Sequence, residues 1–412
     1  MGKVRNAALT LLFSSLSFMS AYASTLHVNA GGSISNAVMN ASPGDTIVVG
    51  KGLYKEHVVI NKSLILRGLD FPVIDGSLQG SVITVSSDNV KIEGFKVIRS
   101  GRSSLRDYCG ILVKDSHGIS IVGNIMRSNQ FSIMLQNCNN SIIANNSVES
   151  DIREMQVMGN AIHCWKSDHL KILNNIVGHN RDGIYLEFVY DSFISGNKVN
   201  GCERYGLHFM FSHHNTYTHN HFSHNLAGVA VMYTHDVNMN DNVFEQSKGG
   251  ASYGLLLKEI NGGQIRNNIF RNNSVAILMD GGTDLHINHN IIRENGWGMR
   301  VVASSTGDVI EGNDFVGNTF DVSTNSSYNA NAFDGNYWDK YDGYDLNRDG
   351  HGDVPYHPLS LFSTLAEQNE GVLMFYRSFI MNLLDAAEKV MPTLTPDNYV
   401  DNRPCVKPNV TK

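Results

Sequence analysis

GILVKDSHGISIVGNIMRSN, from Gly110 to Asn129, is the phrase that decides the fold. It contains short runs in which apolar and polar residues alternate, punctuated by Gly and Asn, and no helical spacing of its apolar residues. It returns as DGIYLEFVYDSFISGNKVNGC from Asp182, YGLHFMFSHHNTYTHNHFSHN from Tyr205 and VAILMDGGTDLHINHNIIREN from Val275. The apolar residue opening each run falls at Ile111, Ile133, Ile162, Ile184, Leu207, Val229, Leu255, Ile277 and Met299, in steps of 22, 29, 22, 23, 22, 26, 22 and 22. An asparagine keeps step at Asn124, Asn146, Asn175, Asn197, Asn220, Asn242, Asn268, Asn290 and Asn313.

A unit of three short strands cannot bury its apolar face alone, and stacking like units does. The spacing therefore predicts an all-β protein, a right-handed parallel β-helix with one repeat per coil and ~4.8 Å between coils. The repeated Asn is expected to serve a left-handed turn and to bond its counterparts as a ladder. The two long steps place insertions near residues 149–159 and 247–252, on the surface.

Working outward, residues 24–100 read as an N-terminal cap and first coils, with SISNAVMNA from Ser33 as a capping helix. Residues 101–325 are the repeats, and 326–358 form a closing loop rich in Asp, Gly and aromatics. A helical segment is expected over 359–392, its stripe formed by Val372, Tyr376, Phe379, Ile380, Leu383, Leu384, Ala387, Val390 and Met391, with Pro392 as its stop. That stripe would fold back on the rod or be presented to a membrane-protein partner. Residues 393–412 read as an extended tail. Residues 1–23 read as a signal peptide: Lys3 and Arg5, then an apolar run too short to span a bilayer, then Ala21-Tyr22-Ala23. The expected location is the periplasm.

Of the 412 residues, 42% are hydrophobic and 17% charged, which excludes a disordered chain. A net charge of −7 without a basic patch excludes nucleic acid as a partner. Five cysteines without a CxxC pair exclude a zinc-finger site. Cys164 is expected to face inward between Leu135 and Leu186.

Strand alternation sorts the remaining side chains. One outward column is Leu112, Met134, His163, Tyr185, His208, Ala230, Leu256, Leu278 and Arg300; the next is Lys114, Gln136, Trp165, Glu187, Met210, Met232, Lys258, Asp280 and Val302. Met134, His163, His208, Met210 and Met232 are soft or borderline donors and suit Cu(I). His213, His214 and His235 follow in adjacent turns, and Met155 and Met158 lie in the first insertion. An apolar patch that docks a partner protein fits the same residues.

Catalysis has little support. Glu187 and Asp280, the carboxylates of these columns, stand about four coils apart, too far to act as a pair on a sugar. No nucleophile elbow, P-loop or dinucleotide fingerprint occurs. A non-catalytic protein is expected, with a polysaccharide-binding or polysaccharide-modifying β-helix as the alternative. Further on, Asp345, Asn347, Asp349, Gly350 and Asp353 match positions 1, 3, 5, 6 and 9 of a calcium loop. Tyr356 stands where the bidentate Glu belongs, and an Asx-turn loop closing the rod is the other reading.

GNYWDKYDGYDLNRDGHGDVPYHPLSLF (Gly335 to Phe362), LLDAAEKVMPTLTP (Leu383 to Pro396) and Arg403-Pro404 give the sequence a resemblance to the NosD family. The resemblance implies a periplasmic β-helix protein needed to mature nitrous oxide reductase. It implies docking on an ABC-type transporter formed with the ATPase NosF and the permease NosY, so that membrane contact runs only through the permease. It also implies copper passed on by the lipoprotein NosL, and makes the C-terminal helix a candidate surface for NosY. No metal ligand is carried over from it.

Overall fold

The computed structural model describes residues 23–326, 328–376, 378–390 and 399–410. The expected signal peptide lies almost wholly outside them. The chain winds as a parallel β-solenoid of about 14 turns, with few helices. A typical coil contributes a strand to each of three faces, and Ala227–Asn240, Tyr253–Arg266 and Val275–Asn288 run along the first two as one strand. The first face holds Cys109–His117, Phe131–Asn139, Ile162–Asp168, Ile184–Tyr190 and Tyr205–Met210; Ser120–Val122 begins the same coil's run on the second face and Ile125–Arg127 on the third.

The register is the one the sequence spacing predicts. Ile111 pairs with Ile133, Ile133 with Ile162, Ile162 with Ile184, Ile184 with Leu207 and Leu207 with Val229. These side chains are fully buried, and branched apolar residues fill the interior of the rod. The third face adds an aromatic stack, with ring centroids 5.6 Å apart for Phe222 and Phe244 and 4.6 Å for Phe244 and Phe270.

The asparagine station divides its two expected tasks between neighbouring residues. The left-handed residue is the one before it: Asn145, Asn174, His219, Asp241, Asn267 and His289, with glycine at 123, 196 and 312. The repeated Asn itself is free to make the ladder. Asn197 donates its backbone N–H and its Nδ2 to Asn220 Oδ1, both at 3.0 Å, and Asn220 does the same to Asn242 at 2.9 and 3.0 Å. A second ladder, unforeseen, joins Asn273, Asn295 and Asn318.

Helix α1 (Ile34–Asn40) closes the N-terminal end as expected. Ser33 caps it, and Glu56 accepts from the backbone of Ile34 and Ser35 at 2.8 and 3.0 Å. At the other end the rod runs past residue 325: Ala332–Asp334 and Tyr337–Trp338 pair with the coil before them. Two short α-helices follow, α2 (Leu361–Gln368) and α3 (Phe379–Val390), with a 3-10 helix, Glu370–Phe375, between them. Helix α2 folds back. It buries Phe362 and Ala366, and Glu367 forms hydrogen bonds with Arg300 at 2.6 and 3.1 Å. Helix α3 leaves Phe379, Ile380 and Leu383 exposed. Met391 and Pro392 lie outside the described residues.

The C-terminal stretch is not an extended tail in its described part. Asp401 forms bridges with Phe333 and Tyr356 and is fully buried. Its carboxylate accepts from the backbone of Gly335 and Asn336, from Asn336 Nδ2 and from Trp338 Nε1 at 2.9–3.2 Å. It thereby ends the asparagine ladder. The 65 residues between Asn336 and Asp401 hide this contact from any local pattern.

Candidate metal-binding face

The outward columns stack as the spacing predicts. Met134 pairs with His163, His163 with Tyr185, Tyr185 with His208, and Met210 with Met232. Stacking also separates them. Tyr185 stands between the two imidazoles, with ring centroids 4.8 Å from His163 and 4.7 Å from His208. The five candidate ligands therefore lie on four coils, with the Tyr185 coil among them, and they do not converge on one ion.

Exposure separates them again. Met134 is 1% exposed and packs with Cys109, Leu112 and Phe131 in an apolar cluster outside the rod interior. Its sulfur lies 3.9 Å from Cys109 Sγ and accepts from Gln136 Nε2 at 3.2 Å. Cys109 was not singled out in the sequence; as the first residue of the strand Cys109–His117 it pairs with Phe131. Met210 and Met232 are half-buried neighbours on adjacent coils, and the Tyr185 hydroxyl donates to Met210 Sδ at 3.8 Å.

The imidazoles of His163 and His208 are covered, and neither ring nitrogen of either residue has a hydrogen-bond partner. The Asp182 carboxylate stands beside His208, with Nδ1 3.7 Å from Oδ2. Buried polar atoms are normally paired, so orphaned ones mark a place where a water or a ligand belongs. The side chains of Asn160 and Asn180 and Nε of Arg181, which flank these coils, are orphaned as well. Imidazole and thioether donors fit a soft ion, and His208, Met210 and Met232 supply them on adjacent coils.

Burial pushes the His163 pKa down to about 4, with Arg181 assisting. The folded protein therefore holds it neutral, whereas the unfolded chain takes up a proton near pH 6.5. Its contribution to stability is complete above that value and is lost as pH falls toward 4. Between pH 7 and 5 the loss is about 2 kcal/mol. His163→Phe keeps the ring stack between Phe131 and Tyr185 and should flatten this slope, measured as the urea midpoint at the two pH values. An equal slope in both proteins rejects the assignment.

The cysteines are all buried and unpaired, with Cys164 between Leu135 and Leu186 as expected. Glu187 and Asp280 stand four coils apart along their column, and Lys258 lies 3.7 Å from Asp280. In the Asp-rich loop the carboxylates serve the loop's own backbone. Asp345 accepts from Arg348, Asp349 and Gly350, Asn347 and Asp349 accept from residues two further on, and Asp353 accepts from Leu346. This is the Asx-turn arrangement.

Residues 149–343 match a family model described as periplasmic copper-binding protein (NosD). The probable ABC transporter binding protein NosD of Pseudomonas aeruginosa is 28% identical over 407 residues, covering 86% of this chain and 87% of the relative. The protein of the same description from Stutzerimonas stutzeri is 26% identical over 376 residues, covering 86% and 85%. These relatives are named as binding proteins. Among solved structures, the catalytic unit of a GH87 alpha-1,3-glucanase from Streptomyces thermodiastaticus aligns with a TM-score of 0.60 at 11% identity, covering 76% of this chain and 69% of that one. The Dettilon tailspike protein aligns with a TM-score of 0.55 at 13% identity, over 70% of this chain, which spans 64% of the tailspike's length. These two likenesses concern the fold alone. Among the described residues no helix is long and apolar enough to cross a membrane.

Proposed function

This chain belongs to the NosD family, and from that premise we propose that it is a periplasmic copper-handling protein docked on an ABC-type transporter. In this reading it serves the maturation of nitrous oxide reductase, receives copper from the lipoprotein NosL, and binds the permease NosY with its ATPase NosF. The observation that carries it is the unpartnered His208 imidazole beside the in-register thioethers of Met210 and Met232. Those three side chains would hold Cu(I), with Met134 and His163 further along the face as a covered second station. The exposed side chains Phe379, Ile380 and Leu383 of α3 support docking, since an unpaired apolar stripe on a helix suits a groove in a partner. The Asp345, Asn347, Asp349 and Asp353 loop would accept a hard cation such as calcium only by exchanging some of its internal hydrogen bonds.

Cu(I) competition titration tests the metal site. The isosteric pair Met210→Leu and Met232→Leu keeps the side-chain volume and should weaken binding at least tenfold, or about 1.4 kcal/mol. Equal affinity in variant and parent rejects the thioether site. The polysaccharide alternative predicts release of oligosaccharides from uronate polymers.

A further inference from the structure

The corner between the first and second faces carries another set of donors, free of sulfur. Asp191, His214 and Asp236 occupy it on successive coils, all with left-handed φ of 49°, 56° and 55°. His214 Nδ1 lies 3.5 Å from Asp191 Oδ1, and its Nε2 lies 3.3 Å from Asp236 Oδ2. His235 Nδ1 lies 2.8 Å from that same Asp236 oxygen. Two imidazoles from adjacent coils thus aim at one carboxylate oxygen. One donor atom from each of His214, His235 and Asp236 lies within 4.8 Å of the others.

His213 holds this arrangement in place. Its ring stacks on His235 with centroids 3.8 Å apart, and its Nδ1 accepts the His235 backbone N–H at 3.2 Å. The side chains of His214 and His235 are 51% and 43% exposed, so an ion can enter and water can complete its shell. Two imidazole nitrogens and a carboxylate oxygen with open positions form a donor set for borderline divalent ions.

We propose that His214, His235 and Asp236 bind a divalent transition-metal ion of the Zn2+ or Cu2+ class. The ion links two adjacent coils, with His213 as a positioning residue and Asp191 orienting His214 from the coil before. The site shares no ligand with the thioether pair, and it stands whether or not that pair binds Cu(I).

The test uses the full, tag-free chain stripped by chelator and titrated calorimetrically with Zn2+ and, separately, with Cu2+. One ion per chain is expected at this site. His235→Gln and Asp236→Asn should each weaken it at least tenfold, while Met210→Leu with Met232→Leu leaves it unchanged. The Cu2+ form should show nitrogen hyperfine coupling from two imidazoles by electron paramagnetic resonance, reduced to one in His235→Gln. Equal affinity in both site variants, or a Cu2+ spectrum without nitrogen coupling, overturns the assignment. Unchanged melting of the metal-free variants establishes that they fold.

Discussion

Asn220→Ala should lower stability by about 3–4 kcal/mol, seen as a large fall in melting temperature. Asn220 is 1% exposed and works in both directions along the rod. Its Oδ1 accepts two bonds from Asn197, and its Nδ2 donates to the Ile194 carbonyl at 2.9 Å and to Asn242 Oδ1 at 3.0 Å. Alanine takes away the acceptor of the Asn197 backbone N–H, the Nδ2 donor to the Ile194 carbonyl and both links of the ladder, while Asn197 Nδ2 keeps the Ile172 carbonyl; each buried group so deprived costs roughly 1–3 kcal/mol before relaxation. The preceding residue supplies the control. His219 adopts φ 55°, and His219→Gly relieves a left-handed side chain without touching the ladder. It should change stability by less than about 1 kcal/mol. Similar losses in the two variants would mean that the ladder does not carry the energy assigned to it.

Asp401→Ala is the second large effect. The carboxylate satisfies five donors, the backbone N–H of Arg403 and four at the end of the ladder, one of these the indole of buried Trp338. Removing it should cost about 3 kcal/mol or more locally. Solenoids open unit by unit, so the loss should be confined to the last coils. Hydrogen exchange should accelerate at Gly335–Trp338 and stay unchanged at Asn220. Asp401→Asn keeps an acceptor and should recover part of the loss. Uniform acceleration along the rod would show that the terminal coils and the middle unfold together.

Much of this molecule was legible because a coil of near-constant length turns sequence spacing into spatial register. Ile111, Ile133 and Ile162 line up inside, and Met134, His163 and Tyr185 line up outside, for the same reason. Spacing carried no information on what lies over a face. Met134 is covered by Cys109 and Phe131 at the start of the first face, whose path from the third face is set by loops and not by the period. Nor could it show that His163 and His208 would be left without partners, since that depends on which neighbours fail to reach them. The His214, His235 and Asp236 group was half visible. The three histidines were noted, but their convergence depends on left-handed corners that only coordinates reveal. Asp401 could not be found at all, because the donors it caps at the end of the ladder lie more than sixty residues away.

Helix α2 rests on the coil that carries Phe320 and Ser323, and the Met232 coil lies four coils earlier along the rod. At ~4.8 Å per coil that separation is about 19 Å. The rod is therefore a ruler. It sets how far the thioethers stand from the exposed helix α3, and it can be shortened in whole divisions. Excising residues 269–290 joins Asn268 to Ile291 in phase and brings the two ends of that span closer by ~4.8 Å. Neither end is altered by the cut, so a transfer that depends on reach between them would be separated from one that depends on their chemistry.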